Sequence, residues 1–231
     1  MSAAPIHFQG ERLMLDPLGA AFWPARRTLI VADLHLEKGS AAAARGSLLP
    51  PFDTRATLDK LHRLARLYRP ARIIALGDSF HDTHGPRRLS AEDKARLTAL
   101  AGQAEFIWIA GNHDAAPPAS GQESDFRHES VATYADGPFV FRHQAQGRRR
   151  AQEVEISGHY HPKASVSTRA LRVSRPCFVS DGTRLILPAF GAFTGGLDVR
   201  DPAIAGLFPR GLRVFLLGRE RLYAFALAQV A

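Results

Sequence analysis

The amino-acid sequence predicts an α/β fold, and two features of its pattern lead to that prediction. Short runs of β-branched or aliphatic residues recur along the chain, as expected of buried strands. Between the early runs lie segments with helical spacing of apolar residues, which is typical of strands joined by helical crossovers. Hydrophobic residues make up 45% and charged residues 23% of the 231 residues, so the chain is expected to fold rather than remain disordered.

The predicted strands are short and largely apolar. They cover residues 28–32, 73–76, 106–110, 139–142, 154–157, 184–187, 213–217 and 222–227. The last two strands flank residues 218–221 and predict a closing hairpin, and residues 6–8 and 12–15 around Gly10 predict a first hairpin. The longest apolar runs fall far short of the ~20 residues that a membrane-spanning helix requires.

Two helices are predicted between the early strands. The first covers residues 53–68, and either Asp53 or Thr54 is expected to cap its start. Its apolar face is formed by Leu58, Leu61, Ala65 and Tyr68. The second helix is expected to begin after the N-cap Ser90 and to end near Ala101. Residues 115–137 and 144–150 are rich in loop-forming or polar residues and predict surface loops.

Bulk properties restrict the class of protein. We expect one catalytic domain over residues 1–231, since no linker or repeat divides the chain. The start lacks a basic leader with a long apolar stretch, and the single cysteine, Cys177, agrees with a reducing cytoplasm. The formal net charge of +8 favours an anionic partner such as nucleic acid, although a basic, solvated surface explains the charge equally well.

Polar residues whose side chains can bind metal ions follow several predicted strands. The residues are Asp33, His35, Asp78, Asn112, His113, His143, His159 and His161. Ligands bind at the carboxyl ends of strands in α/β sheets, so separate loops can bring these side chains into one crevice. Carboxylate, amide oxygen and imidazole are suitable ligands for Mn²⁺, Fe or Zn²⁺. Each residue alone has an ordinary structural explanation, as a turn, a cap or a surface histidine, but the ordered set predicts a metal centre.

Five motifs in this order resemble those of the calcineurin-like metallophosphoesterase superfamily. They are DLH, GDSFHD, GNHD, FRHQ and GHYH, and they extend over residues 31–161. The longer segments VADLHLEKGSAAAARGSLLPPFDTRATL and LPAFGAFTGGLDV resemble in particular the bacterial ligase-associated metallophosphoesterases of the DNA-damage response. The resemblance implies a four-layer sandwich, in which two facing β-sheets are flanked by helices.

The resemblance also implies a ligand set for two divalent metal ions, with Mn²⁺ first and Fe or Zn²⁺ as alternatives. One metal would be held by Asp33, His35, Asp78 and His161, and Asp78 would bridge to a second metal held by Asn112, His143 and His159. The chain departs from the family after His143, where Gln-Ala replaces the usual Glu-Pro. His128, in a second FRH, is therefore a competing ligand, and His143 is preferred because an apolar run precedes it.

The activity implied by the resemblance is hydrolysis of a phosphodiester by a metal-bridging hydroxide. His113 would protonate the leaving oxygen or steady the phosphate. His81 matches the histidine that follows the bridging aspartate in repair nucleases of the superfamily, and Asp82 would orient His113 or His81. Arg148, Arg149 and Arg150 are candidates for holding the phosphate backbone.

The substrate and partners remain open at this point. A DNA endonuclease acting on single-stranded or damaged DNA in the bacterial cytoplasm is the first hypothesis, with a DNA ligase and a helicase as candidate partners and no membrane contact. Hydrolysis of small phosphodiesters, such as cyclic nucleotides or nucleotide derivatives, would use the same metal centre. A third hypothesis is a subunit that mainly binds partners in a repair complex, and a homo-oligomer is also left open.

Overall fold

The computed structural model describes residues 2–114, 130–147, 152–167 and 171–230. Its strands are β1 Ala4–Phe8, β2 Glu11–Leu15, β3 Ala21–Trp23, β4 Thr28–Val31, β5 Arg72–Leu76, β6 Glu105–Ile109, β7 Ser130–Val131, β8 Thr133–Asp136, β9 Phe139–Arg142, β10 Val154–Ser157, β11 Lys163–Ser167, β12 Arg172–Ser180, β13 Arg184–Ile186, β14 Arg213–Leu217 and β15 Leu222–Ala226. Its α-helices are α1 Lys38–Ala44, α2 Asp53–Tyr68, α3 Gly85–Arg88, α4 Ala91–Ala101 and α5 Pro202–Ala205.

The strands form two mixed sheets. The first has seven strands in the order β1-β2-β3-β4-β5-β6-β7, and its strands from β4 onward are parallel. The second has eight strands in the order β15-β14-β12-β13-β10-β9-β8, with β11 paired to β12. Within it, β9, β10 and β13 are parallel. Each sheet therefore has a parallel part whose strands end at a common edge.

Alternation of side chains along the strands produces the layers. In β4, Ile30 faces a core shared by the two sheets, whereas Leu29 faces the helices on the outer side of the first sheet. Leu61 of α2 and Leu97 of α4 pack in that outer layer. A third apolar cluster covers the outer side of the second sheet and includes Ile204 of α5. The order helix, sheet, sheet, helix confirms the predicted four-layer sandwich.

The two predicted helices are confirmed, but the predicted cap of the first is wrong. Phe52 precedes α2 without a side-chain cap, because the polar groups that follow it are used elsewhere. The Asp53 carboxylate accepts a hydrogen bond from the Lys38 backbone N–H at 2.8 Å, and the Thr54 hydroxyl donates to Glu37 at 2.9 Å. These side chains hold the start of α1. At α4 the Ser90 hydroxyl accepts from the Asp93 N–H at 3.1 Å, as a predicted N-cap should.

The loop predicted over residues 115–137 is partly wrong, because β7 and β8 lie within it, and residues 115–129 are outside the described part of the chain. Strands β3, β11 and β12 and the short helices α1, α3 and α5 were not predicted. Strand β11 is polar over much of its length, and β12 begins with exposed arginines, so its buried apolar run is limited to Cys177–Val179 after Pro176. Among the described helices, none is long and apolar enough to cross a membrane.

The outer helical layer should contribute strongly to stability. Leu61→Ala is expected to lower the free energy of unfolding by about 2–5 kcal/mol, because it removes a fully buried side chain and leaves a cavity. Leu67→Ala on the same helix is the control, since Leu67 is 63% exposed. Urea titration followed by circular dichroism measures both values, and equal losses in the two variants would contradict this packing.

Candidate metal centre

The predicted polar clusters meet where the parallel parts of the two sheets end. Loops after β4, β5 and β6 approach from the first sheet, and loops after β9 and β10 approach from the second. The loops are joined through their backbones: the N–H of Asp33 donates to the Gly77 carbonyl at 3.3 Å, and the N–H of Gly158 donates to the His143 carbonyl at 2.9 Å. The structure therefore brings the predicted ligands from both sheets to one place.

The first ligand group consists of Asp33, His35 and His161, whose candidate ligand atoms all lie within 4.8 Å of one another. The Nε2 atoms of His35 and His161 are 3.3 Å apart, and His161 Nε2 is 3.6 Å from Asp33 Oδ1. Asp33 is fully buried, and its carboxylate accepts the His159 backbone N–H at 2.9 Å. That hydrogen bond joins the loop after β10 to the loop after β4.

The second ligand group consists of Asp78, His143 and His159, within the same distance limit. His143 Nε2 lies 3.4 Å from Asp78 Oδ2 and 3.0 Å from His159 Nδ1. The side-chain oxygen of Asn112 is 2.9 Å from the same Nε2 atom, so the structure brings Asn112 next to this group. His143 is buried, whereas its predicted competitor His128 lies outside the described residues.

Asp78 connects the two groups. Its Oδ2 atom is 3.4 Å from His143 Nε2 in the second group and 3.9 Å from His35 Nε2 in the first. Its other oxygen accepts the His113 backbone N–H at 2.9 Å, which orients the carboxylate. This is the position that a carboxylate bridging two cations would occupy.

The protonation states in the centre suit cation binding. His143 Nδ1–H donates to the Leu76 carbonyl at 2.9 Å, because a carbonyl oxygen can only accept, and Nε2 points towards the other residues of the second ligand group. This Nε2 atom lies 3.4 Å from Asp78 Oδ2 and 2.9 Å from the side-chain oxygen of Asn112, so the donor atoms of the group converge on one volume. Burial, followed by the charge of His161, lowers the pKa of His35 to about 2, so this imidazole is neutral as a metal ligand must be.

Several residues of the centre adopt left-handed backbone conformations that side chains rarely adopt. These residues are Asp33, His35, Glu37, Asp78, His159 and His161, with φ between 43° and 71°. Such conformations cost about 1–3 kcal/mol each and concentrate at functional sites. They aim neighbouring side chains of one loop in directions that a regular strand or helix would not allow. Sequence analysis missed this feature, since nothing in the composition of the motifs indicates a positive φ.

Glycines before the ligands allow the loops to approach closely. A Cβ at Gly77, which has φ of 77°, would collide with the His143 ring, and one at Gly158 would come within 2.5 Å of Asp33 Oδ2. A Cβ at Gly111 would collide with the backbone of Asp78. The tight turns expected at these positions are thus present, and the space saved is occupied by ligand residues.

Asp114, the last residue of the GNHD motif, holds two of the loops together. Its carboxylate accepts backbone N–H groups from Ser79 at 3.0 Å and from Gly111 at 2.8 Å. Burial raises the pKa of this carboxyl group, against the hydrogen bonds that lower it. The motif alone gave Asp114 no role, so the link between the loops after β5 and β6 was not predicted.

His113 and His81 lie beside the ligand groups. The Nδ1–H of His113 donates to the His81 carbonyl at 2.9 Å, and its Nε2 is 4.0 Å from Asp78 Oδ2. The two rings stack with centroids 5.6 Å apart, and the His113 side chain is 41% exposed. His113 therefore presents one ring nitrogen at the open side of the centre.

Asp82 makes different contacts from those expected. It accepts from the Arg88 guanidinium at 2.7 Å and from the His84 backbone N–H at 2.9 Å, and it pairs with Arg45 at 3.7 Å. The Nδ1–H of His113 is bound by a carbonyl, and the buried Nδ1 of His81 has no hydrogen-bond partner among the described residues, so Asp82 holds neither ring by a hydrogen bond and acts on His81 only through its charge. The predicted phosphate contacts Arg148, Arg149 and Arg150 lie outside the described residues.

We expect Asp114→Ala to weaken Mn²⁺ binding by about 10- to 100-fold, because the loops that carry Asp78 and Asn112 lose their common acceptor. Stability should also fall by about 1–3 kcal/mol, since backbone N–H groups are left without a partner. Calorimetric titration with Mn²⁺ measures the affinity. Asp181→Ala is the matched control, because Asp181 accepts backbone N–H groups in the turn before β13. Unchanged Mn²⁺ affinity in Asp114→Ala would refute this role.

Two solved structures are similar to this chain. The chain is similar to the nuclease MPE of Pseudomonas putida, with 29% identity over 97% of this chain and 100% of that chain, at a TM-score of 0.69. Yfce, a phosphoesterase from E. coli, is 13% identical over 86% of this chain and 98% of its own, at a TM-score of 0.42.

No protein among those with curated functions matches the sequence. The family model for calcineurin-like phosphoesterases matches residues 26–172, which is more than half of the chain and includes every residue of both ligand groups. The chain therefore belongs to the calcineurin-like phosphoesterase family and is a metal-dependent phosphoesterase.

Proposed function

We propose that this phosphoesterase is a two-metal phosphodiesterase that cleaves DNA, as an endonuclease in bacterial DNA repair alongside a DNA ligase. The observation that carries the two-metal part is the position of Asp78 Oδ2 between imidazole nitrogens of both ligand groups. The nucleic-acid part is supported by similarity over nearly the whole chain to a protein described as a nuclease. We also propose that the protein forms a single domain over residues 1–231 and acts in the cytoplasm. A helicase partner and self-association are part of the same proposal.

The donor set fits two divalent cations, with Mn²⁺ proposed first and Fe or Zn²⁺ as alternatives. Asp33, His35 and His161 would hold one cation, Asn112, His143 and His159 the other, and Asp78 both. Two such cations supply neutralisation of phosphoryl charge and activation of the attacking water. The protein contributes their positions, since both carboxylates are buried and oriented by backbone N–H groups before any cation binds.

His113 is proposed to transfer a proton to the leaving oxygen. Its Nδ1–H is held by the His81 carbonyl, so the ring is fixed, and the transferred proton would be carried by Nε2, which lies 4.0 Å from Asp78 Oδ2; Nε2–H would break as the O–H bond of the leaving group forms. His81 supports His113 by stacking, and burial lowers the pKa of His81 while the Asp82 carboxylate raises it. We therefore propose His113 as the acid, with His81 and Asp82 as its support.

Positive charge near the centre agrees with a polyanionic substrate. Lys38 directly follows the first metal-binding loop, and Arg45 is 63% exposed beside Asp82. The charges of both residues contribute to the lowered pKa of His81, after burial as the main cause, so both lie on the His81 side of the centre. Arg148, Arg149 and Arg150, which lie outside the described residues, are proposed as further contacts to the phosphate backbone.

Asp78→Ala tests the centre. Phosphodiesterase activity of the Mn²⁺-loaded enzyme should fall by more than the ~100-fold that loss of an outer-shell partner costs, because both ligand groups lose a donor. Hydrolysis is measured on single-stranded DNA, duplex DNA, RNA and bis-p-nitrophenyl phosphate. Asp59→Ala, at an exposed carboxylate, is the control. Full activity of Asp78→Ala would reject the centre. A wild-type enzyme that cleaves bis-p-nitrophenyl phosphate but neither DNA nor RNA would favour small phosphodiesters as substrates.

His113→Ala separates proton transfer from metal binding. It should lower kcat by about 10²- to 10⁴-fold, the usual contribution of general acid catalysis, while Mn²⁺ affinity stays within about twofold. His7→Ala is the control, because His7 is an exposed histidine on β1. Steady-state kinetics and calorimetric titration provide the two measurements, and an unchanged kcat would remove His113 from the mechanism.

A further inference from the structure

The loop over residues 191–196 is built onto both ends of the first ligand group. At its start, the Gly191 N–H donates to the Asp33 carbonyl at 3.0 Å, and the Gly191 Cα packs against the Leu34 carbonyl. At its end, Gly196 packs against the His161 carbonyl so closely that a Cβ there would collide with it. Both ends of the loop therefore lie against the backbone that carries Asp33 and His161, two residues of the first ligand group.

Phe193 in the middle of this loop combines two features that are unfavourable for folding. Its side chain is 50% exposed, and its φ of 56° is a left-handed conformation that bulky residues rarely adopt. The loop does not need this ring for anchorage, because Phe190 is fully buried in the outer core and the Ala192 N–H donates to Thr57. A strained and exposed aromatic ring on a well-anchored loop is better explained by contact with a substrate than by folding.

Lys38 fixes the position of Phe193 relative to the metal centre. Its ammonium group donates to the Phe193 carbonyl at 3.0 Å. Lys38 is the first residue of α1 and stands three residues after the ligand residue His35, so the same segment of chain carries both the ligand and the ammonium group. An ammonium group has three N–H donors, and one is used here, so others remain for an anion.

We infer that Phe193 is a stacking platform for an unpaired nucleobase of the substrate and that Lys38 contacts the adjoining phosphate. This inference deepens the proposed function and rests on it. Aromatic rings stack on bases of any sequence, and basic side chains follow the backbone, which is how single strands are bound without sequence preference. A base inside a duplex already has neighbours on both faces, so the platform selects DNA that is single-stranded or frayed at the centre.

The test distinguishes contacts to the bases from contacts to the phosphates of the substrate. The Mn²⁺-loaded enzyme is assayed for its KM on oligothymidylate and for inhibition of that reaction by an abasic oligonucleotide of equal length. Phe193→Asn is the main variant, because asparagine tolerates the left-handed conformation without providing a ring. Its KM for oligothymidylate should rise by about 5- to 100-fold, the equivalent of one lost stacking contact, while the inhibition constant of the abasic strand stays within about twofold.

Companion variants make the result specific. Phe193→Trp should retain the wild-type KM, and Tyr223→Ala, which removes an exposed aromatic residue of β15, should match the wild type on both strands. Lys38→Gln should weaken the binding of both oligonucleotides and reduce the salt dependence of KM. Equal KM values for Phe193→Asn and the wild type would overturn the platform but leave the proposed function intact. A wild-type enzyme that cleaves bis-p-nitrophenyl phosphate and no DNA would overturn both.

Discussion

The convergence of Asp33 and Asp78 with several imidazole rings in a buried volume is the constraint on which the rest of the structure depends. Removing carboxylates from water is unfavourable unless hydrogen bonds and opposite charge compensate for the lost hydration. Backbone N–H groups of His159 and His113 supply part of that compensation. The side-chain nitrogen and oxygen atoms of His143 and Asn112 face the same volume, and this donor set suits cations.

That constraint explains why two sheets are needed. A single parallel sheet delivers side chains along one line, and here β4, β5 and β6 bring Asp33, Asp78 and Asn112 to one edge. Ligands from the opposite side require strands from elsewhere, and β9 and β10 of the second sheet provide His143 and His159. The apolar layer between the sheets, with Ile30 and Phe141 among its buried residues, therefore fixes the distance between the two sets of ligands.

Most of the centre could be predicted because it depends on local order, with Asp33, Asp78 and His143 each following an apolar strand. The left-handed φ of His35 and the contacts of Asp114 could not be predicted, since they depend on how loops distant in the chain pack together. The same reason explains the wrong cap at Asp53, whose carboxylate is used by Lys38 of another helix. Strands β11 and β12 were missed because residues 163–167 and 172–176, which pair with each other, are largely polar, and the apolar run that follows in β12 is only three residues long.

The loops of the centre are coupled because they share acceptors and backbone contacts. Gly191 binds the carbonyl of Asp33, whose carboxylate binds the N–H of His159. A shift in the loop over residues 191–196 would therefore move Asp33, and a shift in Asp33 would move the last metal-binding loop. Cations that hold Asp33 and His161 together would stabilise the base of the same loop, because ligands that bind only the folded arrangement favour it. The surface that meets the substrate and the centre that cleaves it are thus parts of one cooperative unit.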